Sequence, residues 1–174
     1  MAVNIQKEGQ RLPGFSVLPT PTSSPSLPPI ILGGNVMEVD PTDTSGGTIR
    51  ILSVNTNRPL GVAIDSNVRS TITNNQPGAE FVTEYNRGGL IGTAHGGGAI
   101  FRAFDDTLGM PLDTTVSYVV NQPIYAKPVV AVGLLPVTGV AQLTSASGGN
   151  VLIGRIIKVE GSGSTLAVTW ISEI

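Results

Sequence analysis

The chain has 174 residues, a mass of 17.9 kDa and a net charge of −2, with 13% charged residues where typical globular domains have roughly 25%. Arg50, Arg58, Arg69, Arg87 and Arg102 are scattered singly, so no basic stripe tracks a phosphate backbone, and nucleic acid is not an expected partner. Cysteine is absent, which excludes disulfides and thiolate metal sites, and the longest apolar run, residues 128–137, is far short of the ~20 residues that span a bilayer.

The first element is a proline-rich stretch. MAVNIQKEGQ at the start has no apolar core of the signal-peptide kind, so neither secretion by that route nor a membrane partner is expected. Residues 12–34, LPGFSVLPTPTSSPSLPPIILGG, carry six prolines, which fix φ, remove backbone donors and favour extended or polyproline conformation. Residues 1–34 therefore read as an extended N-terminal arm and residues 35–174 as a β domain. Phe15, Val17, Leu18, Leu27, Ile30 and Ile31 are apolar groups that need a surface to lie on. Ordering such an arm costs about 1–2 kcal/mol per residue in backbone entropy, so these six are the expected partner-binding residues, with a neighbouring subunit as the natural support.

Downstream, abundant Ser, Thr, Asn and Val, with 22 Gly and only 5% aromatics, suit short strands joined by tight turns. β-type runs occur at residues 48–54, 61–64, 80–84, 99–104, 115–120 (TVSYVV), 124–125, 129–135, 151–159 (VLIGRIIKV) and 165–171 (TLAVTWI). Turn signals at this spacing predict an all-β fold, a compact β-barrel or β-sandwich. EGSGS at 160–164 is a hairpin loop between the last two runs. In the final run Leu166, Val168 and Trp170 share one face, which predicts a half-buried strand. PLGVA (59–63), LIGTA (90–94) and LIGRI (152–156) each place Gly after apolar residues, the signal of a bulge or of close backbone approach.

Chemistry has few parts to work with. GTAHGGGAI (92–100) contains His95, the single histidine, before three glycines, as in the oxyanion hole of some esterases. Such a hole serves a serine on a G-x-S-x-G elbow with another histidine as base; SASGG (145–149) lacks the first Gly, and one histidine cannot fill both roles. The glycines are followed by AIFRAF rather than by the Lys and Ser/Thr of a phosphate loop, so they read as a turn into a strand. Glu38, Asp40 and Asp43 could offer hard oxygen ligands to Ca²⁺, but their spacing is not that of an EF-hand, and an ordinary turn is favoured. Asp105 and Asp106 are adjacent, hence on opposite faces of any strand and unable to act as a dyad. No enzyme activity, cofactor or metal is expected.

Residues 87–113, RGGLIGTAHGGGAIFRAFDDTLGMPLD, resemble the centre of the small tailed-phage capsid cement, or decoration, proteins: a strand, a Gly-Gly-Ala-Ile turn, an outward loop and a D-x-x-G stretch, here residues 106–109. Residues 147–171, SGGNVLIGRIIKVEGSGSTLAVTWI, resemble that family's closing strand, Gly/Ser turn and final Val-rich strand, and residues 57–63 resemble its G-V-A segment. Ala103-Phe-Asp-Asp106 departs from the family's A-G-D, and the arm is longer than in many members. The resemblance implies a structural virion protein on the capsid exterior, bound to the major capsid protein. It also implies a homo-oligomer, dimer or trimer, or neighbouring copies joined through the arm. A tail or fibre component, such as a receptor-binding β domain, is the alternative. A carbohydrate-binding module would want aromatic platforms, and Tyr85, Tyr118, Tyr125 and Trp170 are scattered.

Overall fold

The computed structural model describes residues 3–7, 10–11, 35–39, 44, 49–53, 55–63, 68–72, 81–85, 93–95, 97–104, 112–128 and 142–174. Thirteen strands lie among them: β1 (Val3–Lys7), β2 (Gln10–Arg11), β3 (Val36–Val39), β4 (Ile49–Ile51), β5 (Pro59–Ala63), β6 (Val68–Ile72), β7 (Phe81–Tyr85), β8 (Thr93–His95), β9 (Ile100–Phe104), β10 (Pro123–Ala126), β11 (Leu143–Thr144), β12 (Val151–Glu160) and β13 (Ala167–Ser172). A single 3₁₀ turn, Gly163–Thr165, is the helical content of the described residues. The fold is all-β, as composition requires.

Two antiparallel sheets form the body. One has six strands in the order β1-β9-β13-β12-β10-β11, the other five in the order β2-β8-β5-β3-β4, and β6 pairs with β7 separately. Their inner faces share one apolar core. Phe101, Ala103, Ile124, Leu143, Ile153, Ile156, Val168 and Trp170 come from the six-stranded sheet, and Val36 and Val62 from the five-stranded one. This is the sandwich solution of the two expected architectures. Met37, Ile49, Ile51 and Ala63 form a second buried cluster, so the five-stranded sheet is apolar on both faces.

The long strand β12 shows how local irregularity keeps the core filled. Leu152 opposes Tyr125 while Gly154 opposes Ile124, which leaves Ile153 as an extra residue; Ile157 is extra between the pairs Ile156–Trp170 and Lys158–Thr169. Each bulge shifts the inward phase by one residue. Val151 and Ile153 point inward before the first bulge, Gly154 and Ile156 after it, and both Ile157 and Lys158 are exposed at the second. A strict alternation over ten residues would have turned Ile156 outward.

Three expectations need correction. Residues 115–120 form no strand; they lie in a turn-rich loop between Leu112 and β10. β-branched composition there is overruled by side-chain and backbone bonds that curl the chain. Residues 36–39, 68–72 and 93–95 are strands the sequence reading did not include, and residues 129–135 lie outside the described residues. β13 is not half-buried: Val168 and Trp170 face the core, but Ala167 and Thr169 on the other face are buried too. Thr169 is paired between Arg102 and Lys158, and Glu160 bonds both cations at 2.9 Å, so long charged side chains lie over the small residues of this central strand. The Lys158 hydrogen bond, with Arg102 adding to it, holds the Glu160 carboxyl below the usual carboxylate range.

The N-terminus is more closely built in than an arm. β1 pairs with β9 at the edge of the six-stranded sheet, and β2 pairs with β8 at the edge of the five-stranded sheet. Residues 12–34, with Phe15, Val17, Leu18, Leu27, Ile30 and Ile31, lie outside the described residues.

Candidate functional site

The histidine and glycine stretch sits where the chain changes sheets. β8 ends at His95 in the five-stranded sheet and β9 begins at Ile100 in the six-stranded one, while β1 and β2 run antiparallel alongside and cross at the same place. A paired ribbon therefore turns one corner, the way sheet-switching strands build sandwiches. Gly98 has φ +99°, a conformation L side chains rarely adopt, and its N–H donates to the Ser172 carbonyl at 3.0 Å. The two glycines described here, Gly97 and Gly98, serve the corner. His95 is paired with Gln10 through the backbone.

Two buried carboxylates stand out. Glu38, on β3, is 0% exposed and opposite Arg50 of β4. Its Oε1 accepts from Arg50 Nε at 2.6 Å and Ser53 Oγ at 2.8 Å, and its Oε2 from Asn57 Nδ2 at 2.8 Å. A buried carboxylate held this way is a fastening of three segments, and losing its partners would leave a desolvated charge. Of the acidic cluster, Glu38 faces inward on a strand; the turn expected around Asp40 and Asp43 lies outside the described residues, as do Asp105 and Asp106.

Asp113 is the second. Its Oδ1 accepts from the Thr115 N–H at 3.0 Å and from Thr115 Oγ1 at 2.6 Å, and its Oδ2 accepts from Lys127 Nζ at 2.6 Å. Lys127 also donates to Gln142 Oε1 at 2.8 Å. The Tyr118 hydroxyl donates to the Leu143 carbonyl at 2.8 Å, and Ser145 Oγ donates to the Ser117 carbonyl at 2.7 Å. These bonds tie residues 113–118 to β10 and β11, which is why TVSYVV does not run as a strand. The Lys127 hydrogen bond, then that of Thr115, lowers the Asp113 pKa from 3.8 to about 2.

The sign follows from the lowered value. The carboxylate form is favoured by folding, so its stabilisation is complete above the unfolded pKa of 3.8 and is lost as pH falls toward about 2. Lys127 is 37% exposed, and water screens the pair, so the contribution is about 1–2 kcal/mol. Asp113→Asn should flatten the stability profile over that window, measured by denaturant unfolding at stepped pH. An unchanged acid slope would place the linkage in another group.

The loop ends in a tight turn. Gln122 N–H donates to the Val119 carbonyl at 3.2 Å, Asn121 has φ +74°, and its N–H donates to the Ile156 carbonyl at 2.8 Å. Asn tolerates this left-handed region better than other residues with a Cβ. Asn121→Gly should be nearly neutral and Asn121→Ala should lower thermal stability by about 1 kcal/mol. Val119 and Val120 stand at the tip, 52% and 54% exposed.

Neither carboxylate is placed as a general base, because the oxygens of each already accept from cationic and neutral donors. Among the described residues, no group of three or more His, Cys, Asp or Glu could hold a metal ion, and no helix is long and apolar enough to cross a membrane. Of the aromatics weighed as glycan platforms, Trp170 and Tyr118 are buried and Tyr125 is half-buried. The described surface instead offers apolar side chains on the outward side of the six-stranded sheet, Leu152 and Ile157 at 45% and 41% exposure. No family model, curated protein or solved structure matches the chain.

Proposed function

We propose that the chain is a capsid decoration protein, a structural virion component that binds the outer capsid surface and bridges major capsid subunits. The observation that carries the reading is the resemblance of residues 57–63, 87–113 and 147–171 to cement proteins. Two of these segments form β5 with its preceding turn and the β12–β13 hairpin, both part of the sandwich's framework. Low charge and exposed apolar side chains suit a protein that works by being covered, and the buried carboxylates serve the fold. Binding to the assembled shell alone lowers the shell's free energy relative to burst or dissociated states, by mass action. Many identical copies multiply a weak contact.

The experiment is co-sedimentation of the purified chain with empty phage heads, followed by challenge of the heads with heat or chelator. Bound protein and raised resistance are expected. Absence of binding, or attachment to tails or host cells in its place, would overturn the reading in favour of a tail or fibre component. Replacing residues 12–34 by a Gly/Ser segment of equal length should leave the sandwich folded and weaken attachment; β1 and β2 must be retained, since both belong to the sheets.

A further inference from the structure

We draw no further inference here: the strongest candidate, the apolar tip that Val119 and Val120 form on the turn leading into β10, is an exposed surface patch, and nothing in the structure shows what covers it.

Discussion

Trp170→Ala should destabilise the protein by about 3–5 kcal/mol, the range for deleting a large aromatic side chain from a packed core. Trp170 is 0% exposed and sits in register between Phe101 and Ile156, and its ring stacks on Phe101 with centroids 5.3 Å apart and planes at 28°. Its indole Nε1 is buried and finds no hydrogen-bond partner among the described residues. The stabilisation it provides therefore comes from apolar area and stacking, and the unpaired N–H opposes it. Trp170→Phe should consequently cost much less than Trp170→Ala, because it keeps a ring on Phe101 and removes the unsatisfied donor. Urea unfolding of both variants checks the pair of values. Equal losses would mean that the indole's shape, rather than ring contact, fills the site.

What could be read before the structure divides along a physical line. Strands β9, β12 and β13 carry their signal locally, in runs rich in Ile, Val and aromatic residues, and the loop between β12 and β13 announces itself by Gly and Ser. β3 does not, because VMEV places a Glu among apolar residues, and what permits its burial is a set of donors, Arg50, Ser53 and Asn57, 12 to 19 residues later. β1 and β2 pair with strands more than 80 residues away, and their own composition is polar. TVSYVV fails in the opposite sense: its composition favours a strand, but Asp113, Tyr118 and Asn121 each bind backbone elsewhere and close it into turns. The site suffers the same limit. Histidine and glycines attract notice as chemistry, yet their placement at a sheet-switching corner depends on the partner strands at the N-terminus.

The apolar-Gly motifs are the part of the sequence reading with the clearest structural content. In PLGVA the extra residue of a bulge is Leu60, directly before Gly61, and in LIGRI it is Ile153, directly before Gly154. The third copy places Gly92 outside the described residues. A glycine after a bulge lets the strand bend toward its neighbour without a side chain in the way.

Gly154→Ala tests that requirement and should cost about 3 kcal/mol or more, a large value for one methyl group. A Cβ at Gly154 would lie 2.1 Å from the carbonyl oxygen of Ile171 and 3.1 Å from Trp170 Cδ1. The second contact could be relieved by a small ring movement, but the first is with backbone, and the β12–β13 ladder must part to accept it. The two causes separate in a double-mutant cycle. If the backbone contact dominates, Gly154→Ala costs nearly as much in a Trp170→Phe background as in the parent, and the coupling is small beside the single-mutant loss. A Gly154→Ala penalty that vanishes when the indole is trimmed would assign the glycine to side-chain packing, and the bulge would lose its place as the reason for it. The result also bears on the exposed face, since the same two strands carry Arg155 and Ile171 outward as a cross-strand pair next to Gly154, and a ladder forced apart there would separate them.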